Sequence, residues 1–488
     1  MILEIAGSRV LSPYLGTSIV VWTSLIGIIL GSLSLGYWWG GRLADKKASC
    51  RALSAIIMTA AVSVGILPLA KSAIFGLLEG RITNIYVGST VASVLLFTMP
   101  SVLLGMVSPY AVKLKMKDLR HSGATVGTLY AISTVGSIAG TFLAGFALIA
   151  YFGTTNLLLA LAIVLGLTSL LASYRDMTVT KSVVVLLLGF SVFLFNSYDR
   201  FLKKQGIIEV DTAYNRVLIY ATVQDTTGRP VRLMVTNPRE AQSAMYLDRD
   251  DELVLDYTKF YRLVHHFKPD LRQALMIGGA GYSYPKEFLK RFADARMDVV
   301  EIDPGVTELA RTYFRLPDDP RLTIFHEDGR TFLNRTESRY DVVFGDAFKS
   351  LYSLPYQLTT RESAVRMRDV LADDGVVFVN VISGIEGDKG KFLRAIYATF
   401  SEVFPQVYLF RVFPGTPPEE AQNVMLVAFK DTTSPSFQSK DPELHRYRGQ
   451  RWTRKIPFDM PVLTDDHAPV DNYMLPVITS GDVRKAFF

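Results

Sequence analysis

Leu275-Met-Ile-Gly-Gly-Ala-Gly-Tyr-Ser283, followed by Val299-Val-Glu-Ile-Asp303, decides how the C-terminal half of this chain is read. An apolar strand runs into a glycine-rich turn, and a second strand about twenty residues on ends in an acidic pair. Glycines let a backbone approach a ligand closely, and a carboxylate at the end of the second strand can take two ribose hydroxyls. The pair predicts a nucleoside-binding α/β site.

Outward from that site, strand-like runs recur with helical stretches between them. They are Ala274 to Ile277, Asp298 to Ile302, Leu322 to Phe325, Asp341 to Phe344, Val376 to Val381, Val407 to Val412 and Val424 to Phe429. Alternating β and α elements predict a mainly parallel sheet with helices on both faces. Seven strands with the glycine turn after the first predict a methyltransferase-like Rossmann sheet, which binds its ligands at the carboxyl ends of the strands. Ahead of it, Ile207 to Val210, Asn215 to Val223 and Val231 to Thr236 read as a small β-domain, with a turn at Gly228-Arg229-Pro230.

Four strand ends then supply ligands on one edge: Gly278, Gly279 and Gly281; Glu301 with Asp303; Glu327-Asp328-Gly329; and Gly345-Asp346-Ala347. An adenosine moiety fits this arrangement, with backbone at the glycine loop, Glu301 on the ribose hydroxyls and Asp328 accepting the adenine amino group.

The N-terminal part is of another kind. The chain has 488 residues, and its mean hydropathy of +0.23 averages an apolar first part with a soluble remainder. Six segments approach the ~20 apolar residues that cross a bilayer. They run from Gly16 to Gly40, Ala52 to Ala73, Tyr86 to Val112, Thr125 to Ile149, Thr155 to Ala172 and Ser182 to Phe195, the last short enough to insert only in part. Gly27, Gly31 and Gly36, and likewise Gly136, Gly140 and Gly145, have the spacing of close helix packing in lipid. Arg200, Lys203 and Lys204 read as a charged hinge. The predicted domains are 1–197, 198–262, 263–430 and a C-terminal extension 431–488. The N-terminus lacks the basic start of a cleavable signal peptide.

A net charge of +6 is no nucleic-acid signature here, because much of it lies in short loops. Arg42, Lys46, Lys47 and Arg51 form one cluster, and Lys113, Lys115, Lys117 and Arg120 another, both suited to cytoplasmic anchoring. The single cysteine, Cys50, excludes an internal disulfide framework and a multi-cysteine metal site. His265-His266 has no spaced partners and reads as a helix-end pair rather than a metal site.

At these residues the chain resembles the spermidine synthase family, specifically its membrane-fused bacterial branch. Leu3-Glu4 through Arg9, Leu11-Ser-Pro-Tyr-Leu-Gly16 and Leu35-Gly-Tyr37 to Gly-Gly-Arg-Leu-Ala-Asp45 look like that branch's first membrane helices, with Met1 falling inside an earlier one. Tyr214-Asn215 is similar to the family's Tyr-Gln, and Gln242 falls near its binding-loop glutamine. Val300-Glu-Ile-Asp303, Asp328-Gly329 and Tyr340-Asp-Val-Val-Phe-Gly-Asp346 match the ribose, adenine and catalytic-aspartate motifs. Leu463-Thr-Asp-Asp-His-Ala-Pro-Val470 is similar to a C-terminal signature of the fused branch.

The resemblance implies aminopropyl transfer from decarboxylated S-adenosylmethionine to a small-molecule amine, with Asp346 as the base and no metal. The cofactor set it implies is Gly278, Gly279, Gly281, Glu301, Asp303, Asp328, Gly329, Gln242 and Asn215. Soluble relatives pair as dimers, which leaves a homodimer open for this chain; nucleic acid is not an expected partner. The basic loops after the first, third and fifth spans share one side, the cytoplasm by the positive-inside rule. Six full crossings then put the soluble domain on the other face, whereas the co-substrate is cytoplasmic. Either one segment does not fully cross or the domain is outside; the expected location is the cell membrane, multi-pass, with the soluble domain provisionally cytoplasmic.

Several positions depart from the family pattern, Tyr282 and Ser283 among them, where glycines follow in the family. Gly281 stands where an aspartate holds the aminopropyl ammonium, Lys349 stands where an acid helps bind the diamine, and Tyr257-Thr258-Lys259 replaces a Tyr-His-Glu. These departures favour a second reading, a transferase using S-adenosylmethionine itself on a less cationic or membrane-delivered acceptor. A third reading is a transporter or scaffold whose synthase-like domain senses nucleoside or polyamine.

Overall fold

A computed structural model describes residues 1–16, 18–78, 81–82, 84–116, 122–174, 179–237, 240–347 and 354–480. The chain divides into two compact units, Met1–Thr212 and Ala213–Phe488.

In the first unit, helix α1 (Ile2–Leu15) precedes six long apolar helices: α2 (Ile19–Lys46), α3 (Cys50–Leu78), α4 (Ile85–Lys115), α5 (Ser122–Leu143), α6 (Ile149–Ala172) and α7 (Val179–Lys204). Six helices here are long and apolar enough to cross a membrane, which is compatible with a multi-pass membrane protein. The sixth expected span is not short: α7 has 26 residues, and the charged Arg200, Lys203 and Lys204 lie within its C-terminal end rather than in a hinge. Charges at a helix end cost no internal hydrogen bond, so the helix runs through them. A short strand, β1 (Ile208–Asp211), ends this unit.

The glycines divide into those that pack and those that do not. A Cβ on Gly36 would sit 2.2 Å from Val102 O, and one on Gly40 2.6 Å from Met106 Cα, so the α2 and α4 backbones touch there. Gly140 abuts Ile2, but Gly27, Gly31, Gly136 and Gly145 face open space, contrary to the spacing argument. In α5 Gly140 is the one buried residue, and in α7 none is. At Gly153 (φ 70°) α6 breaks, and the freed Thr154 N–H donates to Asp211 Oδ2 at 2.6 Å. Lys117 and Arg120 lie outside the described residues.

The second unit begins with β2 (Arg216–Val223), β3 (Pro230–Asn237) and β4 (Glu240–Tyr246), paired antiparallel in sequence order. Sequence reasoning missed β4, whose Glu-Ala-Gln-Ser-Ala-Met-Tyr has few β-branched residues. It carries Gln242. Two short helices, α8 (Asp256–Phe260) and α9 (Val264–Phe267), lead into the main layer.

That layer alternates β5 (Gln273–Ile277), α10 (Ser283–Arg291), β6 (Arg296–Val300), α11 (Pro304–Tyr313), β7 (Leu322–Phe325), α12 (Gly329–Arg335), β8 (Tyr340–Gly345), α13 (Arg361–Val370), β9 (Leu371–Ser383), α14 (Lys391–Val403), β10 (Gln406–Arg411) and β11 (Gln422–Phe429). The strand order is β10-β11-β9-β8-β5-β6-β7. Strands β5 to β9 are parallel, and β11 inserts antiparallel to both its neighbours. This is the expected seven-stranded α/β sheet with a small β-domain before it. Helices α15 (Pro442–Gly449) and α16 (Val470–Thr479) complete the chain. The order reverses between β8 and β6 on either side of β5, so the crevice lies above the carboxyl end of β5, where the glycine turn sits.

Candidate functional site

The turn after β5 is held from below by one carboxylate. Glu301 is 1% exposed; its Oε2 accepts the N–H of Gly279 at 2.9 Å and of Ala280 at 3.1 Å, and its Oε1 accepts that of Asp303 at 3.0 Å. A buried charge needs such partners. Gly278 adopts φ 101°, and a Cβ there would lie 2.4 Å from Asp346 O, so only glycine lets β5 and β8 leave the sheet side by side. Ala280 and Tyr282 also take left-handed conformations, the backbone strain that clusters at ligand clamps. The Tyr282 ring lies beneath Gly279 and its hydroxyl bonds Thr307 Oγ1 at 2.7 Å.

The other acids have structural work. Asp303, fully buried, caps α11 by accepting Gly305 N–H at 3.0 Å and takes the Asn215 amide at 2.9 Å. Asp328 caps α12 through Thr331 N–H at 3.0 Å, while Gln357 Nε2 reaches its second oxygen at 3.4 Å. Gly329 packs on Ile277, with room for no side chain.

A small pocket brings Gln242, Gly279 and Asp346 together, walled by Ser243, Tyr257 and Ser283. Glu301, Asp303, Asp328, Gly329, Asn215 and Gly281 lie outside its lining. A Cβ on Gly281 would stand 2.5 Å from Ser243 Oγ, 2.8 Å from Ser243 Cβ and 3.0 Å from Phe314. The space beside Gly281 is therefore closed by Ser243 of β4 and by Phe314.

Asp346 follows β8. Its Oδ2 accepts the Tyr257 hydroxyl at 3.2 Å. Burial pushes its carboxyl up to about 6, against the neighbouring Tyr257, Asn380 and Tyr261 side chains, which favour the charged form. Behind it Tyr261, Tyr284, Phe344 and Phe378 make an aromatic floor, with Tyr261 and Phe344 ring centroids 5.2 Å apart. Burial raises the hydroxyls of Tyr257, Tyr261 and Tyr284 far above the usual phenol range. A neutral-polar pocket with one poised carboxyl can hold an amine and accept its proton.

Of the expected departures, Thr258 turns its hydroxyl to Leu255 O at 2.6 Å. Lys259 pairs with Asp256 at 2.7 Å. Lys349 lies outside the described residues. His265 stacks on Phe292 at 4.2 Å, and burial pushes its imidazole down to about 4. No group of three or more potential metal ligands occurs among the described residues. Tyr261, Asn380 and Asn423 escaped the sequence reading; the signal for Asn380 was a lone amide inside Val376 to Val381.

The C-terminal unit is similar to known proteins. Residues 259–435 match the spermine/spermidine synthase domain. The chain is similar to a polyamine aminopropyltransferase of Vibrio vulnificus (strain CMCP6), 28% identical over 202 residues, covering 41% of this chain and 64% of that protein. It is also similar to a probable polyamine aminopropyl transferase of Bifidobacterium longum (strain NCC 2705), 29% identical over 217 residues and covering 41% and 48%. The chain thus spans less than two thirds of the length of these curated relatives. A solved structure, a probable spermidine synthase from Corynebacterium glutamicum ATCC 13032, aligns over 55% of this chain and 91% of its own, with 19% identity and a TM-score of 0.41.

Proposed function

We propose that this chain, whose C-terminal unit is of the spermidine synthase-like family, moves an aminopropyl group from decarboxylated S-adenosylmethionine to a small amine. The observation that carries this reading is Asp346, raised to about 6 at the end of β8 and held by Tyr257 at 3.2 Å beside the glycine turn.

In this reading the nucleoside lies across the carboxyl ends of β5 and β6, with Glu301 toward the ribose and Asp328 toward the adenine. Gly278, Gly279 and Gly281 shape the turn, Gly329 lets α12 start close to β5, and Asp303 with Asn215 braces Glu301. Gln242 faces the transferred group. The amine nitrogen attacks the methylene next to the sulfonium; a C–N bond forms as the C–S bond breaks, and methylthioadenosine leaves with the electron pair. The nitrogen's surplus proton passes to Asp346. A base near 6 is largely ionised at neutral pH yet still takes a proton, which suits this step. Positioning and the sulfonium leaving group supply the rest. By the same reading the six apolar helices anchor the chain in a membrane, multi-pass, and the soluble unit is cytoplasmic, where the sulfonium nucleoside is made.

Gly281 favours a second reading. With Ser243 against it, nothing at this position holds a cationic tail, which suits intact S-adenosylmethionine and a less cationic acceptor. Calorimetric titration of the full-length protein with methylthioadenosine, S-adenosylmethionine and its decarboxylated form separates the two. Preference for the decarboxylated form supports aminopropyl transfer, preference for the intact form supports the second reading, and no binding of any removes both.

A further inference from the structure

Asn380 and Asn423 are amides inside an otherwise apolar sheet, each 2% exposed. Met425 of β11 pairs with Asn380 of β9, so Asn423 lies diagonally across on the same face. Its Nδ2 donates to Asn380 Oδ1 at 3.0 Å. On the other side Gly345 pairs with Val379. The next residues along, Asp346 and Asn380, stand side by side past that pair, and the Asn380 side chain is among the groups that favour the charged form of Asp346. An amide has one accepting end and one donating end. Asn423 occupies the accepting end of Asn380 and leaves the donating end for Asp346.

We propose that Asn423 is a positioning residue: through Asn380 it fixes a donor, and not an acceptor, against the carboxylate of Asp346. Its meaning for turnover rests on the reading of Asp346 as the base. Without Asn423 the Asn380 amide is free to turn and present its oxygen, which repels a carboxylate and accepts from a carboxylic acid, so the neutral form gains. The titratable groups facing Asp346 among the described residues are Tyr257 and Tyr261, with Tyr284 behind Tyr261, and burial keeps all three hydroxyls neutral. None of them replaces the charge balance that the amide pair sets. The device suits a base kept dry by an aromatic floor, because a fixed dipole does there what water does elsewhere.

The test is an infrared-difference pH titration of the full-length protein in detergent, with Asp346→Asn identifying the carboxyl band by its loss. Asn423→Val is expected to raise the protonation midpoint by about one pH unit, roughly one hydrogen bond's worth. The ascending limb of the pH–rate profile should move by the same amount. Asn380→Leu should do the same. Should Asn423→Val fail to fold, Asn423→Ser, whose hydroxyl stops short of Asn380, replaces it. An unmoved or lowered midpoint in a folded variant overturns the proposal. Turnover that survives Asp346→Asn removes the base assignment and leaves the midpoint comparison standing, so the two failures are distinguishable.

Discussion

Glu301 Oε2 lies 2.9 Å from the N–H of Gly279, so the acid expected to meet a ribose already holds the glycine turn in place. Its position is set before a ligand arrives. Glu301→Gln replaces one accepting oxygen with a donor facing backbone donors. It should cost ~1–3 kcal/mol of stability by chemical denaturation, and methylthioadenosine affinity should fall at least tenfold by calorimetry. Native stability in this variant would contradict the role of Glu301 as the clamp.

Asp346→Asn should abolish turnover while leaving methylthioadenosine binding intact. Its effect on melting has a defined sign. The folded-state value, about 6, lies above the ordinary 3.8, so between those values the folded protein keeps a proton that the unfolded chain releases. Wild-type stability therefore falls as pH rises through this window and stays lower above it. The amide variant carries no such burden. It should melt above wild type at pH 7 by up to ~3 kcal/mol, less as solvent at the pocket mouth screens the charge, and match it near pH 4.

His265 works in the opposite direction. Its imidazole is pushed down to about 4, and its buried Nε2 has no partner. The unfolded chain takes up a proton near 6.5 that the folded protein refuses until about 4, so stability drops as pH falls through that interval. His265→Phe keeps the stacking on Phe292 and should remove that share, on the order of 2–3 kcal/mol at pH 4. Wild type and variant with parallel melting curves from pH 7 to 4 would refute this.

Gly281→Asp restores the family acid but drives a side chain into Ser243 and Phe314. It should destabilise by ~1–3 kcal/mol without gaining affinity for decarboxylated S-adenosylmethionine. Gly281→Asp combined with Ser243→Gly should recover part of that loss, a coupling that a denaturation double-mutant cycle reads directly.

Much of the α/β unit was legible because its signals are local. Buried parallel strands read as apolar runs, glycines mark the turn, and Val300-Glu-Ile-Asp303 ends a strand with its acid inside. Strand β4 was not legible, since Glu240 to Tyr246 forms a strand by pairing with β3 rather than by propensity. The motif acids were visible as types but not as partners. Asp303 and Asp328 turn out to cap helices, a use fixed by the next three residues and by where the chain turns. Asn423 could not be connected to Asp346 from sequence, because 77 positions separate residues that the β8-β9-β11 register brings together. In the helical unit, periodic glycines predicted contacts at Gly36 and Gly140. The same pattern misled at Gly27, Gly31, Gly136 and Gly145, since spacing does not say which face meets a neighbour.

The bare apolar flanks of α5 and α7 make the surrounding amphiphile a reactant in folding. With one buried residue in the first helix and none in the second, little of their stability comes from this chain's own packing. Whatever coats them binds the folded state, and by mass action its concentration enters the equilibrium constant. A melting temperature for the full chain is therefore a function of detergent or lipid supply. Titrating that supply at fixed protein should shift the unfolding of Met1–Thr212 while that of Ala213–Phe488 stays put.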